Sequence, residues 1–332
     1  MFDHYIAVDW AQSNMAIARM TACSNKVTTI DVPSDIKELQ LYLGKLKGKK
    51  ILTVEESTAS QWLYTELREH VDEMIVCDPY RNHLLKEGAK SDKIDATKTV
   101  QLLRAGLLKP VFHSGDDFIH LRKLVSGYID LVKSGTRLKN QRSALFRACG
   151  RETGDGKLPG AAERFVLDGI ERSIASYEEE RLRYEEEFNN LSKKHKAITL
   201  LKSLPGIKDI NAVKIAAFVV DPRRFPTVGH FWSYCGLIKL DRVSGGRSYG
   251  KKNPRCCRTL KSVFKTAAVT SAREDKNNPM RDYYLHLVNE KKLVDYHARN
   301  AVARRLATLA WGVLKSGKRF DPYRRGKCKK AV

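Results

Sequence analysis

The chain has 332 residues, 42% of them hydrophobic, and a formal net charge of +23. That length suits two domains and a connector rather than one small core. No apolar run reaches the roughly 18 residues of a membrane span, and "MFDHYIAVDW" lacks the basic-then-apolar order of a signal peptide, so a cytoplasmic protein away from membranes is expected. The seven cysteines, an odd count with no C-x-x-C pair, fit reduced thiols better than disulfides or zinc.

Charge is unevenly spread. Residues 1–100 hold 13 Lys and Arg against 15 Asp and Glu, whereas residues 197–332 hold 30 against 9. A balanced first third and a strongly basic last third point to chemistry or metal binding first and polyanion binding last.

In chain order, "HYIAVDWA" (4–11), "NMAIARM" (14–20) and "KVTTIDV" (26–32) are β-prone runs with turn residues between them. Ser34 is positioned to cap a helix running to about Lys47. "KILTVEE" (50–56) predicts a fourth strand, 57–71 a helix, and "EMIVCD" (73–78) a fifth strand stopped by Pro79. "KSDKIDATK" (90–98) opens another helix with Ser91 as N-cap. Three strands, then helix and strand alternating, is the element order of a ribonuclease-H-like (RuvC-like) domain.

Carboxylates sit at the ends of these elements. Asp9 ends the first strand, Glu55 and Glu56 end the fourth, and Asp92 and Asp95 share one face of a helix's first turn. Adjacent residues of a strand point to opposite faces, so only one of Glu55 and Glu56 can join the others. Singly, each acid fits a turn or the helix dipole. Together they match the hard-oxygen donor set that holds Mg²⁺ against a phosphodiester.

The middle predicts helices, from Asp117 to about Cys149 and again from Ala161 after the break "GRETGDGKLPG". In the second, Leu167, Ile170, Ile174, Tyr177, Arg181, Tyr184, Phe188, Leu191, His195 and Ile198 recur by three and four. That seam fits either a coiled coil that sets oligomer state or a hairpin folded within one chain.

In the last third, "LLKSLPGIKDINAVKIAAFV" (200–219) looks like a helix-hairpin-helix, with Leu204 closing the first helix and Pro205-Gly206 making the turn; Lys208 replaces the usual second glycine. Its amides would face a phosphate. An apolar helix (230–238) leads into "RVSGGRSYGKKNPRCCR" (242–258), a basic, glycine-rich loop, and a helix follows from about Arg258. Residues 297–323 read as a basic amphipathic helix.

Six motifs together resemble a known family: "YIAVDWA" (5–11), "VEESTASQW" (54–62), "KSDKIDATK" (90–98), "LPGIKDINAVKIAAFV" (204–219), "FWSYCGLIKLDRVSGG" (231–246) and the "ARNAVARRLATLAWGVLKSGKRFDPY" tail. In this order they resemble the DEDD transposases of insertion sequences that use a bridge RNA, relatives of the Piv DNA invertases. The resemblance implies an α/β plus α protein. A RuvC-like DEDD domain would occupy 1–115, a helical and coiled-coil connector 116–198, and a mostly helical C-terminal transposase domain 199–332. It places the acids at Asp9, Glu56, Asp92 and Asp95, preferring Glu56 because "ESTA" matches E-[AS]-T-G, and the serine at Ser244 of the "S-G" pair. Ala59 for glycine, Lys239-Leu240 for a proline-containing pair, and "KKNPRCCRTLK" (251–261) depart from the family pattern.

What the resemblance implies is a recombinase that cuts and rejoins DNA through a phosphoserine link at Ser244, assisted by Mg²⁺ on the four acids. Donor and target DNA would be chosen by a structured bridge RNA, and a homo-oligomer, dimer or tetramer, would act. Gly206, Lys208, Arg242, Arg247, Lys251, Lys252, Arg255 and Arg258 are the candidate nucleic-acid contacts. Two alternatives stand beside it: a metal-dependent, structure-selective nuclease with no serine nucleophile, and a non-catalytic nucleic-acid-binding protein.

Overall fold

The computed structural model describes residues 1–83, 91–113, 117–154, 158–273 and 278–322. They form two compact units, Met1–Gly115 and Asp116–Val332.

The first unit is built on strands β1 (His4–Trp10), β2 (Asn14–Thr21), β3 (Ser24–Pro33), β4 (Lys50–Glu55) and β5 (Glu73–Cys77), with helices α1 (Ile36–Lys45), α2 (Ser60–Leu67), α3 (Pro79–His83) and α4 (Asp92–Arg104). The sheet order is β3-β2-β1-β4-β5. The first three strands are antiparallel, while β4 joins β1, and β5 joins β4, in parallel. Alternation assigns each face. Ile6, Val8, Leu52 and Val54 pack under Leu39 and Leu43 of α1 and Leu63 and Leu67 of α2. On the other face the strands carry small side chains, Ala7, Ala16 and Ala18, and α4 lies on them through Ala96 and Val100. The cap of α1 is Asp35, which accepts from the Lys37 N–H at 2.7 Å. Ser34 instead donates to the Ala11 carbonyl at 2.8 Å, so the expected cap moves one residue on. Ser91 caps α4 as expected, accepting from the Ile94 N–H at 3.3 Å.

The second unit is helical around one core. Helices α5 (Asp117–Ala148) and α6 (Ala161–Lys194) form an antiparallel hairpin: Tyr128 donates to Glu185, Lys139 pairs with Glu178 and Arg142 with Glu171. Every position of the α6 seam is buried or half-buried. Along α5, the apolar residues that meet it include the core-buried Leu121, Val125 and Tyr128. Of the two partners the seam allowed, it therefore finds one within the chain. These residues share a core with α7 (Lys196–Leu201), α8 (Asp209–Val219), α9 (Val228–Tyr234), α10 (Arg258–Arg273), α11 (Pro279–Leu285) and α12 (Asp295–Ser316). The stretch expected as a connector is thus packed into the unit that follows it, and α7 stops at Leu201, short of Leu204. The basic loop expected over 242–258 is in part an antiparallel ribbon, β6 (Leu240–Ser244) and β7 (Arg247–Lys252). Helix α12 buries Ala298, Val302, Ala303, Leu306, Ala307, Ala310 and Val313, the apolar face of the basic helix read in the sequence.

Candidate functional site

In the first unit the pleat settles which acids share a side. Asp9 has the parity of Ala7, so it lies on the α4 face of the sheet, beyond the Val8–Val54 register pair. Glu55 has the parity of Thr53 and Ile51 and falls on that same face. Glu56 sits one residue past the strand, exposed, with its N–H still donating to the Cys77 carbonyl at 2.9 Å. The family motif favours Glu56; the strand parity favours Glu55. Asp95, half-buried, and Asp92, exposed, open α4 beside Ala96. Lys93 in the same turn pairs with Asp31 of β3 at 2.8 Å, tying that turn to the sheet. Asp95 therefore stands over the sheet face that carries Asp9. The donor chemistry, carboxylate oxygens alone, suits Mg²⁺. Among the described residues, however, no three His, Cys, Asp or Glu side chains stand together as a metal-holding group.

In the second unit the ribbon is exposed at every residue. Ser244 pairs with Arg247 across a two-residue turn, Gly245-Gly246, whose φ angles of +55° and +75° are those of a type I′ hairpin. The glycines are there because both turn positions need positive φ. Arg242, Arg247, Lys251 and Lys252 line the two strands, and Arg255 and the exposed Arg258 follow. Lys251 pairs with Asp241 at 3.7 Å. Ser248 accepts from the Gly250 N–H at 3.4 Å, a local turn bond.

The turn at Pro205-Gly206 has a different character. Gly206 has φ +71°, and a Cβ there would lie 2.5 Å from the Ala267 carbonyl oxygen of α10. Its glycine serves close packing. Lys208 is exposed just before α8. Asp209, the first residue of α8, is ion-paired with Lys202 and accepts from Ser192 Oγ at 2.7 Å. Burial pushes its carboxyl up, but the bonds from Lys202 and Ser192 outweigh it and hold it below the usual range. An anion, Asp209's own, already occupies this helix start.

Sequence reasoning passed over a second basic group. Lys239, Lys261, Lys265, Tyr296 and Arg304 line one cleft beside the ribbon. Their only signal in the sequence is the four-residue spacing of 261 with 265 and of 296, 300 and 304.

A family model described as "Transposase" of the DEDD IS110 type matches residues 6–149, and one described as "Transposase IS116/IS110/IS902 family" matches residues 198–285. Two curated relatives are also similar. The "Insertion element IS116 uncharacterized 44.8 kDa protein" of Streptomyces clavuligerus is 30% identical over 124 residues, 37% of this chain and 30% of the relative. The "Insertion element IS110 uncharacterized 43.6 kDa protein" of Streptomyces coelicolor is 31% identical over 90 residues, 27% of this chain and 22% of the relative. The chain thus spans less than a third of either relative's length.

Proposed function

We propose, from its similarity to the IS110 and IS116/IS110/IS902 transposase models over residues 6–149 and 198–285, that the chain is a DEDD transposase of that family, which cuts and rejoins DNA through a phosphoserine at Ser244, guided by a structured bridge RNA. The observation that carries the serine's part is its setting: an exposed hydroxyl at the mouth of a glycine turn, on a ribbon bearing Arg242, Arg247, Lys251 and Lys252. Ser244 Oγ attacks the phosphorus of a DNA strand. The bond from phosphorus to the 3′ oxygen breaks, the serine proton passes to solvent or to that oxygen, and the strand's phosphate stays on the serine. The reverse attack by another 3′ hydroxyl restores a phosphodiester and releases the serine, so rejoining needs no ATP.

Asp9, Asp92, Asp95 and, by the family motif rather than by strand parity, Glu56 would hold Mg²⁺, which when bound stabilises negative charge on the phosphodiester oxygens. A serine hydroxyl is a weak nucleophile at neutral pH and needs such help. With sequence choice left to base pairing, the cations of the second unit grip backbones rather than read bases. The acting species is a homo-oligomer on donor and target DNA.

The test is a duplex labelled on either side of the exchange point. A covalent protein–DNA adduct is expected that disappears in Ser244→Ala and persists in Ser248→Ala. Strand cleavage that survives Ser244→Ala would replace this reading with a metal-dependent nuclease, and binding without any cleavage would replace it with a nucleic-acid-binding protein. Asp9→Asn and removal of divalent metal are each expected to abolish the adduct. A structured RNA is expected to copurify with the protein.

A further inference from the structure

A cleft of about 630 Å³ opens at the base of the β6–β7 ribbon, between it and helices α10 and α12. Five cations line it: Lys239 and Lys251 from the ribbon and its lead-in, Lys261 and Lys265 from α10, and Arg304 from α12. Among the described residues, no carboxylate lines it. The spacing explains the convergence, since Lys261 and Lys265 are one turn apart on α10 while Tyr296, Asn300 and Arg304 follow one another by turns on α12. The two helices pack on each other, so each aims a polar face at the same space.

Charge is only half of the chemistry. Leu237, Ile238 and Leu293 supply apolar wall, and the Tyr296 ring stands 59% exposed at the cleft. Lys265 Nζ lies 5.4 Å from the centre of that ring. The Asn300 side-chain bond, and after it the charges of Lys265 and Lys239, hold the Tyr296 hydroxyl below its ordinary range.

A polyanion of any kind would be drawn to five cations, but the enclosure and the aromatic ring are more selective. In a duplex the base faces are stacked on one another, leaving phosphates and groove edges, but no flat face, for a protein's surface. An unpaired nucleotide offers a flat apolar face as well as its backbone, and proteins that hold single strands combine basic grooves with aromatic platforms. The volume is within the range that encloses a molecule of that size. We infer that this cleft is a binding site for single-stranded nucleic acid, seating one unstacked base on Tyr296 with flanking phosphates on Lys239, Lys261, Lys265 and Arg304. The inference rests on the nucleic-acid part of the proposed function but not on the serine or the acids, and adduct formation at Ser244 tests those separately.

The experiment measures binding of the full chain to fluorescein-labelled oligothymidylate, oligouridylate and a mixed-sequence duplex by anisotropy, with thermal unfolding recorded for each variant. Tyr296→Ala is expected to weaken single-strand binding about tenfold, the effect of losing one stacked base, and to leave duplex binding within about twofold. Tyr296→Phe keeps the ring and is expected to bind like the parent. Lys265→Gln, on a different helix, is expected to lower the salt dependence of single-strand binding by about 0.7 in the log–log slope, one phosphate contact. The thymidylate and uridylate arms decide whether the occupant is an unpaired DNA strand or a single-stranded part of an RNA. Unchanged single-strand affinity in Tyr296→Ala, an equal loss for duplex, or an unchanged salt slope in Lys265→Gln would overturn the inference. So would polyglutamate displacing the oligonucleotides at matched charge, which would mark the cleft as a site for acidic protein segments.

Discussion

The second unit contains two turns that look alike in sequence and behave differently in space. "PGIK" at 205–208 and "SGGR" at 244–247 both place positive-φ glycine beside a cation. Gly206 is wedged against the Ala267 carbonyl, while Gly245 and Gly246 have nothing within 4 Å of the Cβ each lacks. The first turn joins helices that share a core; the second closes a ribbon with no buried residue. A turn held by packing contributes to the fold. A turn held only by its own backbone preferences presents a side chain and contributes little else. The comparison separates what the C-terminal unit needs to fold from what it exposes for chemistry.

The largest expected effect falls on the packed turn. Gly206→Ala must hold a Cβ in left-handed backbone and also push the Ala267 carbonyl of α10 away from it, together about 3 kcal/mol of destabilisation. Thermal or urea unfolding of the full chain checks this. A loss below about 1 kcal/mol would mean that the turn yields as the ribbon does, and the contrast would fail.

The ribbon turn should behave in the opposite way. Gly245→Val puts a β-branched residue at φ +55° and is expected to open the I′ turn, reducing adduct formation at least tenfold, with unfolding unchanged to within about 0.5 kcal/mol because the ribbon is exposed. Gly245→Asn, which tolerates that backbone, is expected to restore activity. A shift in global stability for Gly245→Val would show that the ribbon is coupled to the core after all.

These turns also show where the sequence was legible. Local signals found the five strands of the first unit, the α4 cap at Ser91, the α6 seam and the turn at Pro205-Gly206, because each depends on residues near one another in the chain, whereas the sequence of the β6–β7 ribbon reads as a loop. Element ends brought Asp9 and Asp95 forward as candidates, whereas the sheet face they share is read from register and packing. The choice between Glu55 and Glu56 turned on where β4 stops, which parity cannot give without the register against β1. The seam's partner could not be read from its period, since a heptad fits any apolar ridge. The basic cleft was hidden for the same reason: Lys261 and Tyr296 belong to separate helices, and only packing of α10 on α12 brings them to one space. The sequence marked Gly206 as a phosphate contact through its likeness to a helix-hairpin-helix turn, whereas its packing against α10 is a long-range fact.

A pH titration sharpens the comparison from the packed side. Asp209 has its carboxyl held below the ordinary value by Lys202 and Ser192, against the opposing effect of burial. A depressed folded-state pKa stabilises the fold above the unfolded value, and that contribution is lost as pH falls through the folded one. Stability near the Pro205-Gly206 turn should therefore weaken below about pH 4. Asp209→Asn is expected to flatten the acid limb of the unfolding midpoint against pH, while substitutions on the ribbon leave that limb as it was. An acid limb identical in Asp209→Asn and the parent would remove Asp209 from the account.

The smallest effect expected is on the ribbon's charge. Arg247 faces Ser244 across the turn and is exposed, so its removal leaves no buried group without a partner and should not alter unfolding. If it holds one phosphate of a duplex, Arg247→Ala lowers the slope of log affinity against log salt by about 0.9. The loss is then a few-fold at low salt and shrinks as salt rises, because the counterion release it supplied is already suppressed. It should also be the same for unrelated sequences, since a phosphate contact carries no base information. Lys208, the cation of the packed turn, provides the control within the same unit. It stands beside a helix start where Asp209 supplies the anion, so Lys208→Ala is expected to change the slope by less than Arg247→Ala. Equal slopes for the two variants would mean that both turns meet the nucleic acid alike, and that packing against α10 does not withdraw the first from the binding surface.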